Sequence, residues 1–120
     1  MIAKVGGLDI AGMVGCYLGA AICQMPILID GFISAVSAYL ACILNQTAKE
    51  YMIPTHCSAE PAAKMIMEKL GMEAPLHAGM HLGEGTGAIM GLSLIDQALN
   101  VYYHVATFEG GHVEAYTHQV

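Results

Sequence analysis

Pro26-Ile27-Leu28-Ile29-Asp30-Gly31 decides the fold. Ile27, Leu28 and Ile29 follow one another with no polar alternation, the pattern of a strand covered on both faces in a parallel sheet. Asp30-Gly31 ends the run with a turn. Upstream, residues 10–24 are uncharged and rich in Gly and Ala; they predict a helix with Asp9 as its cap. Downstream, residues 32–44 return to helical spacing. Tyr51-Met52-Ile53-Pro54 predicts a second short strand, with Thr55-His56-Cys57-Ser58 at its carboxyl end.

Pro61 suits the first turn of a helix running to Leu70, and Gly71 suits its stop. Residues 72–82, broken by Pro75 and Gly79, fit neither template. Gly83-Glu84-Gly85-Thr86-Gly87 predicts a loop, and residues 88–107 a long helix. Residues 108–120, with Gly110-Gly111, are polar and are expected to form a mobile tail. Strand, helix, strand, helix with tight connections indicates an α/β chain, part of a doubly wound, mainly parallel sheet with flanking helices. Ligands gather beyond the carboxyl ends of such strands. Asp30-Gly31 and residues 55–58 fall there. Two strands are too few for a stable sheet, so a fragment of a larger fold is expected.

Composition narrows the class. Only 12% of the 120 residues are charged, about half the share of an average soluble domain, and 56% are apolar. Either the chain is a membrane protein, or its surface is normally covered by further protein. Residues 10–29 carry no charge and approach a bilayer-spanning length. Pro26 splits that stretch, however, and no Lys or Arg cluster flanks it to orient it. Membrane insertion is not expected. A formal charge of −6 with four Lys or Arg argues against nucleic acid as a partner, which would need a basic face. Cys16, Cys23, Cys42 and Cys57 form no CxxC pair; the first three lie in apolar stretches and read as small buried hydrophobes. Such usage points to the reducing cytoplasm. Residues 1–7, with one Lys and two glycines, make a poor signal peptide.

The segment that carries chemistry is Met80-His81-Leu82-Gly83-Glu84-Gly85-Thr86-Gly87-Ala88. A carboxylate between glycines has no neighbouring side chains to shield it, so a substrate can approach closely. Thr86 is the expected cap of the following helix, whose amino-terminal N–H groups would favour an anion. The plain alternative is a flexible helix entry with an exposed acid. The spacing is not that of a dinucleotide fingerprint.

Four ordered segments settle the choice. Lys4-Val5-Gly6-Gly7-Leu8-Asp9-Ile10-Ala11-Gly12-Met13, Leu28-Ile29-Asp30-Gly31-Phe32-Ile33-Ser34, His56-Cys57-Ser58-Ala59-Glu60 and Leu82-Gly83-Glu84-Gly85-Thr86-Gly87-Ala88 stand at a characteristic spacing. Together they resemble the carboxy-terminal part of the nicotinate-nucleotide:dimethylbenzimidazole phosphoribosyltransferase family, over residues 1–107. The resemblance implies a Rossmann-like sheet, a cytoplasmic homodimer and no cofactor. It also implies transfer of ribose phosphate from nicotinate mononucleotide to 5,6-dimethylbenzimidazole, giving α-ribazole 5′-phosphate and nicotinate for the lower ligand of cobalamin.

By the same resemblance Glu84 is the catalytic base and Leu82 a wall against the benzimidazole. Gly31 and Ser58 lie near the nucleotide, and Gly87 is a further candidate of that kind. Ser58 could equally cap the next helix, and Asp30 could bond backbone groups in its own turn. His81 stands where the family usually carries Arg, which would pair more firmly with an acid. The resemblance further implies that a glycine-rich segment and a phosphate-gripping lysine belong to the missing part. The chain alone is therefore expected to be inactive or weakly active. A non-catalytic fragment that self-associates or binds a partner is the competing reading. His77 and His81 are four apart, but Pro75 and Gly79 argue against a helix there, so no metal is expected.

Overall fold

Gly7, in extended conformation, opens the first helix, α1 (Leu8–Ile22), of the computed structural model, which describes residues 6–112 and 114. There follow β1 (Ile27–Ile29), α2 (Phe32–Leu44), a 3-10 segment (Gln46–Tyr51), β2 (Met52–Pro54), α3 (Ala63–Leu70) and α4 (Thr86–His104). Asp9 does not cap α1. It lies in the first turn, where its charge still complements the helix dipole.

β1 and β2 pair in parallel, with Ile27 opposite Met52, Leu28 opposite Ile53 and Ile29 opposite Pro54. The fold is α/β, a small parallel sheet with flanking helices. Residues 72–82, which matched no pattern, run as a third ribbon beside the extension of β2. The Cys57 N–H donates to the Leu76 carbonyl (2.9 Å), Leu76 N–H to Thr55 (3.2 Å) and Ala59 N–H to Met80 (3.0 Å). Pro75 and Gly79 keep this ribbon from becoming a regular strand, because proline donates no ladder bond and Gly79 adopts a positive φ of 63°.

The core lies between α1, α2, α3 and the sheet. Ala35, Ala38 and Ala41 recur along one face of α2 and are buried, so α1 can approach closely through Val14 and Tyr17. Met67 and Leu70 close the core from α3, whose Lys64, Glu68 and Lys69 face solvent. α3 ends at Gly71, whose φ of 61° suits the left-handed stop expected of it.

Cys16 and Cys23 are exposed rather than buried, and Cys42 is half-buried. The reason is that α1 is covered on one side only; Leu8 and Ile22 are likewise exposed. α4 is barer still. Of its residues only Gly87 and Gly91 are buried, while Ile89, Leu92, Leu99, Tyr102 and Tyr103 face outward. The radius of gyration is 17.8 Å, against roughly 13–14 Å for a compact chain of this length. These apolar faces have the character of surfaces made to be covered.

Among the described residues, no helix is long and apolar enough to cross a membrane. The uncharged stretch 10–29 is broken after Ile22, before β1 begins. The long helix starts at Thr86, two residues ahead of expectation, and ends at His104. Of the expected tail, residues 108–112 form turns, held to the preceding residue by the Gly111 N–H to Thr107 carbonyl bond (2.8 Å). Positions 113 and 115–120 lie outside the described residues, as do Lys4 and Val5.

Candidate active site

The site is built where β1 ends. Asp30 leaves the strand with its N–H donating to Ser34 Oγ (3.1 Å), and Ser34 in turn meets the Tyr17 hydroxyl. Burial pushes the Tyr17 phenol up to about 12, beyond the lowering effect of its bond to Ser34. A neutral phenol thus anchors the turn from below.

The Asp30 carboxylate does not bond its own turn. It reaches across to the Glu84 loop, where Oδ2 accepts the Gly85 N–H (3.1 Å) and Oδ1 the Ala88 N–H (2.9 Å). Asp30 therefore caps α4, and Thr86 does not. The Thr86 hydroxyl instead donates to the Gly83 carbonyl (2.6 Å), and its N–H takes the same acceptor. The amides of Gly85, Thr86 and Ala88 are engaged inside the protein, so the anion-receptive helix end read from the sequence is largely taken. Sequence spacing could not show this, because the cap comes from 58 residues away.

Three consecutive residues, Gly83 (φ 74°), Glu84 (φ 58°) and Gly85 (φ 79°), hold left-handed backbone conformations. Glycine accepts this freely; glutamate does not, at a cost of order 1 kcal/mol or more. Such strain survives where the surroundings impose it, and Asp30 supplies that constraint on the carboxyl side of Glu84. The Glu84 side chain is exposed, and among the described residues the one ion pair is Lys64–Glu68, on the surface of α3. No cation among them locks the carboxylate.

Glu84, Leu82, Gly31 and Ser58 all line one cleft of about 530 Å³, within the range of small-molecule sites. Gly87 does not. It is buried behind the cleft, where a Cβ would overlap the His56 ring. Leu82 stands on the rim, 73% exposed. Ser58 does not cap α3, whose first flanking residue is Ala62; its hydroxyl meets the Glu60 carboxylate and lies 3.3 Å from the Met80 carbonyl.

Glu60, His81, Ser34 and Met13 also line the cleft. All four stand in the segments quoted above, yet nothing in those segments assigned any of them to the cleft; Ser34 lies one helical turn after Asp30. Among the described residues the lining carries three carboxylates, from Asp30, Glu60 and Glu84, and no Lys or Arg. Such a wall is ill suited to holding a phosphate. Among the described residues, no three His, Cys, Asp or Glu side chains converge as metal ligands would.

The family model described as "Phosphoribosyltransferase" matches residues 1–113. Nicotinate-nucleotide--dimethylbenzimidazole phosphoribosyltransferase of Acetivibrio thermocellus is 48% identical over 120 residues, covering 100% of this chain and 34% of that protein. The protein of the same name from Clostridium acetobutylicum is 50% identical over 116 residues, covering 97% and 33% respectively. The crystal structure of CobT from Thermus thermophilus superposes with a TM-score of 0.87 at 32% identity, covering 95% of this chain and 34% of that one. The chain spans about a third of the length of the curated relatives it matches.

Proposed function

Because the chain belongs to the nicotinate-nucleotide--dimethylbenzimidazole phosphoribosyltransferase family, we propose that it carries the proton-accepting wall of that family's reaction site. The reaction is transfer of the phosphoribosyl group from nicotinate mononucleotide to 5,6-dimethylbenzimidazole. One benzimidazole nitrogen attacks the anomeric carbon, and the bond to nicotinate breaks with its electron pair going to the pyridine nitrogen. Unless the other ring nitrogen loses its proton, positive charge builds on the attacking base. Glu84 takes that proton. Attack opposite the leaving group converts a β-nucleotide into α-ribazole 5′-phosphate.

The single observation that carries this reading is Glu84 itself, an exposed carboxylate between two left-handed glycines on the cleft wall. Leu82 beside it offers an apolar face for the aromatic ring. Gly31 and Ser58 bring a backbone edge and a hydroxyl toward the nucleotide, and Gly87 lets α4 sit close behind. No cofactor enters the chemistry.

The isolated chain is inactive or nearly so in this reading. Nicotinate mononucleotide carries a phosphate, and a cleft whose described lining holds three carboxylates and no Lys or Arg repels it. Cationic and amide donors for that phosphate come from protein outside the cleft described. The same covering protein, and a second subunit of a homodimer, would bury the bare faces of α1 and α4. The four free cysteines fit a cytoplasmic setting.

The test is a graft. The chain replaces its matching segment in the Clostridium acetobutylicum relative, and the product is sought by chromatography after incubation with both substrates. α-Ribazole phosphate from the graft and none from the chain alone supports the reading. A folded graft without product contradicts it. Product from the chain alone refutes the claim of incompleteness.

A further inference from the structure

Behind the cleft lies a residue with no part in the proposed proton transfer. His56 follows β2 and is 4% exposed, and its buried Nδ1 has no hydrogen-bond partner among the described residues. Its ring lies between two glycines on different elements. A Cβ built on Gly31 would stand 3.5 Å from His56 Cε1 and 4.0 Å from Nε2, while one built on Gly87 would overlap Nδ1 and Cε1. Gly31 belongs to the turn after β1, and Gly87 to the first turn of α4. One imidazole thus touches the glycine faces of both segments.

The His56 ring stands at the point where the Asp30 turn and the Glu84 loop are held at a set separation. That separation matters, because Asp30 reaches Gly85 and Ala88 only across it. We propose that His56 is a positioning residue, a flat spacer whose thickness sets the Asp30 turn against the Glu84 loop and so aims the Glu84 carboxylate. Its role in catalysis rests on the reading of Glu84 given above, but the spacing itself does not.

Residue-resolved amide exchange of the full chain tests it. His56→Ala removes the spacer; the Gly85 and Ala88 amides should then exchange about tenfold faster or more, while Ala38 and Ala41 in α2 stay near the parent rate. His56→Phe keeps a flat ring without the nitrogens and should restore slow exchange at Gly85 and Ala88. Gly87→Ala should speed the same two amides in the parent background and much less in the His56→Ala background, since the obstructing ring is gone. That comparison serves even where His56→Ala lowers overall stability.

Equal acceleration in α2 and the loop would make His56 an ordinary core residue and overturn the proposal. So would His56→Phe behaving as His56→Ala, or Gly87→Ala having the same effect in both backgrounds. A graft without turnover would remove the assigned reaction and leave these exchange rates to judge the spacer separately.

Discussion

Asp30 Oδ1 accepts the Ala88 N–H at 2.9 Å, joining the end of β1 to the start of α4. The companion bond from the Gly85 N–H to Oδ2 makes one carboxylate hold both sides of the turn after Glu84. α4 is otherwise poorly anchored, with two glycines as its only buried residues. The placement of Glu84 thus depends on a strand whose own residues are all apolar.

Asp30→Ala leaves two amides without their acceptor, costing about 1–3 kcal/mol. Thermal denaturation should show Tm falling by several degrees, at about 4–8 °C per kcal/mol for a domain near this size. Asp30→Asn keeps one side-chain acceptor but loses the charge, so its loss should be smaller. Equal Tm values for all three proteins would show that the cap contributes nothing.

Gly91→Ala places a Cβ 2.5 Å from Thr55 Cγ2 and 2.6 Å from Thr55 Cβ. Thr55 cannot yield easily, because its hydroxyl donates to the Ile29 carbonyl at 2.6 Å. Overpacking of this kind costs about 1–3 kcal/mol. Urea titration should give a lower midpoint with an unchanged slope for Gly91→Ala. Substitution at Gly12, where a Cβ would meet nothing within 4 Å, should leave no such packing loss.

Tyr17 supplies a pH test. Its phenol rises from 10.0 to about 12, chiefly through burial, so the folded chain keeps a proton that the unfolded chain releases. Stability from this group is complete below pH 10 and is lost as pH climbs toward 12, at a slope approaching about 1.4 kcal/mol per pH unit. Tyr17→Phe should be less stable at neutral pH through loss of the Ser34 bond, and its stability should decline less steeply between pH 10 and 12. Parallel curves for the two proteins, from urea midpoints across that window, would contradict the burial effect.

Local chemistry made much of this legible. An unbroken aliphatic run marked β1, Gly71 marked the end of α3, and the glycines around Glu84 marked an open loop. Contacts distant in sequence escaped. The Asp30 cap and the His56 wedge join segments tens of residues apart, and no periodicity announces either. Residues 72–82 were unreadable because their bonds go to the extension of β2 while Pro75 and Gly79 erase any repeat. Cys16 and Cys23 are exposed although their sequence neighbours are apolar, because apolar neighbours in sequence do not guarantee cover in space. In the site, Glu84, Leu82, Gly31 and Ser58 converge on one cleft, whereas Gly87 packs behind it.

Turnover of the graft carrying Glu84→Gln tests the central claim most directly. Glutamine preserves shape and hydrogen bonding but cannot take a proton, so the rate of α-ribazole phosphate formation should fall by about 10²–10⁴, with dimethylbenzimidazole binding little changed. Turnover equal to the parent would remove Glu84 from the chemistry.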